Sequence, residues 1–309
     1  MTDPSNRELE ASADPRRPEL EALRARRALL SAGLGAALLP SVPGALAAAS
    51  VAAGGNPATA RGVAGPALPD MDDPAQHLRA YVRMRGSADG SLVVDVTRGF
   101  VYALLPTGRP RLLWQSRGFQ LSRYRQEGDG AWVCHSSYFG SFADAASGAP
   151  IEAWDNPYTG RRDSLPPTIY GPMDYVLTAA RTLVKPTAAQ RAQALAARGV
   201  RRWSRTGDLV SVLDELGPPD DPAKPADLDL VTLSARVADL ANPALANVPA
   251  ETSFGAVEPW REWMRMEGRP GMLLWHLQGT KVAGVAQVPA ELLRAAEARR
   301  PGFVAQAEK

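Results

Sequence analysis

The chain has 309 residues, 45% of them hydrophobic, with 35 Lys and Arg against 33 Asp and Glu and a single cysteine, Cys134. The length fits one large core or two modest ones, and a net charge of +2 without a basic stripe, RNA motif or zinc-finger spacing excludes the dense positive field of a nucleic-acid binder. One cysteine excludes an intrachain disulfide and any cysteine-rich metal site, so stability has to come from packing.

The N-terminus carries the plainest signal. Arg26 and Arg27 precede an apolar run over 28–39, a Pro/Gly break, and Ala45-Leu46-Ala47. Twelve apolar residues are too few for a bilayer core, which needs ~20, so no stable membrane span is expected. The run instead has the form of an export signal over 1–47 with an A-x-A cleavage site, and the paired arginines resemble a twin-arginine signal addressed to the export machinery. A periplasmic or secreted protein is the expectation; a poorly ordered alanine-rich tail is the alternative. Residues 48–71, rich in Ala, Gly and Pro, form a flexible linker by composition.

From Asp72 onward the pattern is that of one domain, 72–309. "DDPAQHLRAYVRMRG" predicts a short helix running into a first strand. Alternating β-branched and aromatic runs follow over 92–105, 111–115, 118–126, 131–139 and 151–154, broken by "TGRP", "EGDG" and "ASGAP". Turns this short join antiparallel neighbours. Residues 174–184 and 188–197 are predicted helical, "RRWSRTGDLVSVLDEL" as strand, turn and strand, and 217–227 as loop. Strands over 228–239 and 271–278 and a closing helix in "PAELLRAAEARR" complete the chain. The expected fold is mainly β (α+β): a single antiparallel β-barrel of roughly ten strands, lipocalin-like, with an inserted helical segment and a C-terminal helix, since closure removes unpaired sheet edges.

Four blocks, "VRMRGSADGS" at 82–91, "GFVYALLP" at 99–106, "WDNPYTG" at 154–160 and "WREWMRMEGRPGMLLWHLQGTK" at 260–281, resemble in order and spacing a bacterial and fungal family known only as domain of unknown function 1838. The resemblance runs from about Asp72 to the end. It implies one continuous domain and agrees with an export signal, which many members carry, but it implies no particular reaction. Where the family has an acidic residue followed by aromatic ones, this chain has "CHSSYFG" at 134–140, so no carboxylate role carries over there.

The candidate chemistry rests on few residues. His135 lies in a predicted strand with Tyr138 on the opposite face, and histidine exchanges protons near neutral pH, which makes His135 and Tyr138 the catalytic candidates. In "WDNPYTG", Asn156-Pro157 starts a turn. Trp154 and Tyr158 then form either an aromatic clamp with Asn156 as its polar handle or a rigid corner that completes the core. Arg83, Arg98 and Arg123 sit in or near strands. Facing inward, each would need an anion or carboxylate; facing outward, each is a solvated charge. In the 260–281 block, strand parity puts Leu273, Trp275 and Leu277 on one face and His276 with Gln278 on the other. Most of that block is core, and His276 is either a pocket group or a core histidine. His77, His135 and His276 lack the i, i+2 or i, i+4 partners of local metal motifs. No G-x-S-x-G elbow, P-loop or G-x-G-x-x-G is present. No metal and no cofactor are therefore expected. Two function classes remain: an exported barrel that binds a small apolar or aromatic metabolite, acting on it as a cofactor-free lyase or isomerase, and a non-enzymatic carrier or interaction module with a filled barrel. A cavity of ~300 Å³ or more separates them.

Overall fold

The computed structural model describes residues 67–197, 199–216 and 228–308. The expected export signal, almost all of the linker and the loop at 217–227 lie outside the described residues.

The first element is helix α1, Pro74–Arg85. Asp73 caps it by accepting from the Ala75 and Gln76 amides at 2.8 and 2.9 Å, and Pro74 occupies the first turn, where no donor is needed. Leu78, Tyr81, Val82 and Met84 are all buried, so α1 is a plug and not a surface helix. Its C-cap is Gly86, where a Cβ would stand 2.0 Å from the Tyr124 ring.

Thirteen strands follow among the described residues: β1 Val93–Leu104, β2 Arg111–Gln126, β3 Trp132–Ala143, β4 Pro150–Ile151, β5 Ala153–Asn156, β6 Arg161–Ser164, β7 Thr168–Leu177, β8 Thr182–Val184, β9 Arg202–Thr206, β10 Leu209–Leu216, β11 Leu228–Arg236, β12 Ala250–Glu258 and β13 Met272–Val282. Helix α2, Ala188–Ala196, separates β8 from β9, and α3, Val237–Ala241, follows β11. Helices α4, Ala290–Arg299, and α5, Phe303–Glu308, end the chain.

Nine strands close into a ring in the order β11, β12, β13, β1, β2, β3, β7, β8, β10 and back to β11. The mainly β barrel with a few helices agrees with expectation, but the ring is mixed. β8 meets β10 in parallel, through Thr182 and Leu216. Parallel neighbours need a crossover, and the inserted α2 with the β9–β10 hairpin supplies it. The expected all-antiparallel, lipocalin-like barrel of roughly ten strands is corrected accordingly to a mixed ring of nine. Residues 174–184, expected as helix, are the end of β7 and all of β8, because β3 offers an open edge and both faces of "YVL" find cover. The gap expected in β2 at Ser116-Arg117 is not a break: alternation continues, with Ser116 inward and Gly118 passing under a neighbouring side chain. β12, "AETSFGAVE", and α5 were not anticipated; a run of small and polar residues has weak periodicity.

The parallel seam carries a buried polar network. Arg201 Nε pairs with Asp214 Oδ1 at 2.9 Å, each side chain only 1% exposed. Thr182 donates to Asp214 Oδ2 at 2.7 Å, Tyr81 donates to the same oxygen at 2.5 Å, and the guanidinium lies 3.9 Å from the Tyr81 ring centroid. Strands β8 and β10, the plug α1 and the segment before β9 thus meet on one carboxylate.

Apolar clusters seal the barrel around this frame. One joins α1 to Val210, Val212, Val231 and Leu233 at one end. A second, of Trp114, Phe142, Met264, Met266 and Leu273, closes the other. Helices α4 and α5 cover Phe119, Leu121 and Phe139 on the outer face. Among the described residues no helix is long and apolar enough to cross a membrane.

Candidate functional site

Between the two plugs the barrel holds a cavity of about 630 Å³, within the ~300–1,000 Å³ typical of small-molecule sites. Its existence follows from strand register. Thr97 pairs with Gly118, Gly118 with Gly140 and Gly140 with Thr168, while Thr97 also pairs with Gly279 and Gly279 with Thr252. One inward layer of the ring is therefore built of glycines and threonines, and it leaves space where larger side chains would meet.

The next layer fills part of that space. Tyr138 faces inward on β3, between Gln120 of β2 and Tyr170 of β7. Its ring stacks on Tyr170 at 4.9 Å and 15°, and it leans across the glycine layer. A Cβ at Gly118 would meet the Tyr138 hydroxyl at 2.6 Å, and one at Gly140 would meet it at 2.8 Å. The hydroxyl is thereby set beside Thr97 and Ser116. Tyr124, Tyr170 and Tyr175 also line the cavity, and burial pushes all four phenols above their usual range. Each stays protonated at neutral pH and is a hydrogen-bond donor or a weak general acid.

Asp95 of β1 points into the same cavity, directly across from Lys281 of β13. Burial pushes its carboxyl up to about 6, against the pull of the Lys281 and Arg85 charges. Its Oδ1 is buried without a hydrogen-bond partner. Lys281 is fully engaged elsewhere, donating to Arg83 O, Gly86 O and Asn247 Oδ1 at 3.0, 3.2 and 2.6 Å, and burial lowers its ammonium to about 8. Asp95 is thus a carboxyl poised near neutrality with one oxygen free, among phenol donors and in a place that limits water. That is the equipment of a general base or acid.

The residues singled out from sequence are distributed as follows. Tyr138 lines the cavity. His135, three positions away, is on the outer face, where its Nδ1 lies 2.7 Å from Asp174 Oδ1 and its side chain is 47% exposed. An odd offset within a strand separates the two candidates onto opposite faces. Arg83 donates to Leu245 O and Leu240 O at 2.6 and 2.9 Å and to Asn242 O, tying α1 to the loop after α3. Arg123 holds Ala307 O at 3.2 Å and Gly90 O at 3.1 Å. Arg98 is exposed on the outer side of β1, and His276 is exposed outside β13, opposite Phe100, so His276 lines neither pocket nor core. His77 is buried in α1 against Met71 O at 3.1 Å. The three histidines therefore do not converge.

Trp154, Asn156 and Tyr158 belong to the β5–β6 hairpin at the sealed end of the barrel, where Trp154 meets Trp114 edge-on at 4.9 Å and Tyr158 tilts against Trp260 at 6.0 Å. Asn156 donates to Asp163 Oδ2 and Met264 O, both at 3.0 Å, and accepts from the Tyr158 amide at 3.0 Å. This is the rigid-corner geometry, and it pins the hairpin to the 260–266 segment. Asn156→Ala leaves Met264 O and Asp163 short of a donor and is expected to cost ~1–3 kcal/mol, read by denaturant melts, with cavity binding unchanged.

Asp95, Arg85, Tyr170 and Tyr175 were not anticipated. A signal for Asp95 exists: in "VVDVTRGFV" the residues 95, 97, 99 and 101 share a face that ends on an apolar Val, so the carboxylate shares an inward face. Arg85 carries no such mark, because a basic residue in the last turn of a helix usually answers the helix dipole.

A closed β-barrel with a tyrosine-lined interior cavity is the class that fold and cavity define. Residues 225–309 match the family model described as protein of unknown function (DUF1838), which supports kinship with that family over β11 to the C-terminal helices. No curated protein and no solved structure matches the chain.

Proposed function

We propose that the barrel binds a small, partly aromatic metabolite in its interior and moves a proton on it without a cofactor, as a lyase or isomerase does. The observation that carries this reading is a deep carboxyl, Asp95, with an unpartnered oxygen in a 630 Å³ cavity beside four protonated tyrosines. In the mechanism, the Asp95 carboxylate takes a proton from a ligand carbon next to an electron-withdrawing group. The Tyr138 hydroxyl, fixed by the Tyr170 stack and the two glycines beneath it, donates a hydrogen bond to the oxygen on which charge develops. The proton returns from Asp95 at a second position in an isomerisation, or a leaving group departs in an elimination. Asp95 takes the base role first considered for His135, which faces away. The reading keeps export through Arg26 and Arg27 as its cellular setting.

The test is a metabolite library screened by thermal shift, with hits incubated in deuterated buffer and followed by NMR. Deuterium entering a hit at a defined carbon, slowed ~10-fold or more in Tyr138→Phe, is the expected result. A hit that binds without exchange or turnover would mark a carrier. A library without any hit would sink the binding site itself.

A further inference from the structure

We infer that the ligand is a monocarboxylic acid and that Arg85 is the group that recognises its carboxylate. This deepens the reading of the barrel interior as a binding site and rests on it.

Most basic side chains near the cavity already have partners. Arg83 spends its guanidinium on three backbone carbonyls. Lys281 caps the end of α1 through Arg83 O and Gly86 O. Arg201 is paired with Asp214 and Arg261 with Glu258. Lys185 also lines the cavity but is exposed to solvent, and Arg85 differs from all of these. It projects from the last turn of α1 into the cavity, and among the described residues its guanidinium forms no ion pair within 4 Å and no hydrogen bond. It does not serve the helix end either, because Lys281 already does. A buried guanidinium without a partner is costly. The fold retains one facing an empty space walled by tyrosines, so an anion entering that space is the partner the site lacks.

Charge and shape narrow the anion. A planar guanidinium matches a planar carboxylate through two parallel N–H···O bonds. A phosphate dianion would need further cations beside Arg85, yet of the other cations lining the cavity Arg261 is paired with Glu258 and Lys185 is exposed to solvent, Lys281 is fully coordinated, and Asp95 adds a carboxyl that repels extra negative charge. The tyrosine walls offer ring faces and hydroxyl donors to the remainder of the molecule. A carboxylate held at Arg85 would also aim the atoms beside it at Asp95, as a proton-transfer site requires.

The test uses the full chain and a panel of aromatic and aliphatic monocarboxylic acids, each paired with its primary amide, with inorganic phosphate added. Binding is measured by calorimetry on wild type, Arg85→Gln, Arg85→Lys and the cavity-filling Thr252→Trp, each checked by thermal melt. Acids are expected to bind at least ~10-fold tighter than their amides. Arg85→Gln should bring the acids down to the amide level with the amides unchanged, and Arg85→Lys should keep part of the preference and preserve the comparison if the Gln variant does not fold. Amides that bind as well as acids, or acids indifferent to Arg85, would overturn the inference while leaving the cavity site standing, provided Thr252→Trp blocks both. Phosphate bound as tightly as the acids through Arg85 would overturn the monocarboxylate assignment. If no panel member binds wild type, or Thr252→Trp blocks nothing, the binding-site reading fails with it.

Discussion

Asp214→Asn is expected to destabilise the protein by ~3–5 kcal/mol, because the substitution removes the charge that neutralises Arg201 in a site neither side chain shares with solvent. The isosteric Asn can still accept from Tyr81 or Thr182, so the loss reports the uncompensated guanidinium more than missing volume. Burial opposes ionisation of Asp214, but the Arg201 and Arg85 charges and the Tyr81 and Thr182 hydroxyls outweigh it and hold the carboxyl below its usual range. The sign follows: a depressed folded-state value adds stability that is present above the unfolded carboxyl value of about 3.9 and is lost as pH falls through the folded one. Wild type should therefore lose this contribution only in strong acid, and Asp214→Asn should lack it at every pH. Chemical denaturation at neutral and acid pH measures both. A double variant, Arg201→Met with Asp214→Leu, is expected to lose less than Asp214→Asn alone, since it leaves no unpaired charge. Equal stability of Asp214→Asn and wild type at neutral pH would mean that the seam between β8 and β10 does not depend on the pair.

Asp95→Asn should have the opposite profile. Turnover of any substrate found for the cavity is expected to fall by ~10²–10⁴-fold, the usual worth of a positioned general base. In wild type the rate should rise with pH through about 6, where the buried carboxyl loses its proton, and the variant should lack that limb. Stability should move the other way. A carboxyl whose folded value is raised costs stability that builds up as pH rises from the unfolded value of about 3.9 to the folded value of about 6, is full above it, and is absent below the unfolded value. Asp95→Asn should accordingly melt higher than wild type at neutral and alkaline pH and no higher near pH ~4. A group that costs stability and supplies rate belongs to a site. A variant that loses both melting temperature and ligand response would place Asp95 in the framework.

Parts of the candidate site were legible because strand parity is local. The alternation in "MLLWHLQGTK" separates Leu273, Trp275 and Leu277 from His276, and the structure has that alternation, although His276, expected in a pocket or in the core, is on the outer face. Tyr138 and His135 could likewise be assigned to opposite faces of one strand, but not to inside and outside. Which face is inner depends on the curl of the sheet and on the helices that cover its convex side, here α4 and α5 over Phe119 and Phe139. The WDNPYTG turn was recognisable from Asn156-Pro157 and Gly160, whose φ of 68° suits a residue without a Cβ. That the hairpin seals an end of the barrel was not, because Trp114 and Met264 reach it from distant parts of the chain.

By itself, the amino-acid sequence determined that this protein is mainly β, that its stability rests on packing, and where many of its strands and turns lie, because side-chain period and turn chemistry act over a few residues. The tertiary structure alone decided the parallel closure at Thr182 and Leu216, the glycine and threonine layer that leaves the cavity open, and the meeting of Arg85, Asp95 and Tyr138 inside it. Those three come from a helix and two strands spread over more than fifty residues. Only register and closure, set by the summed burial of the whole barrel, bring them to the same space.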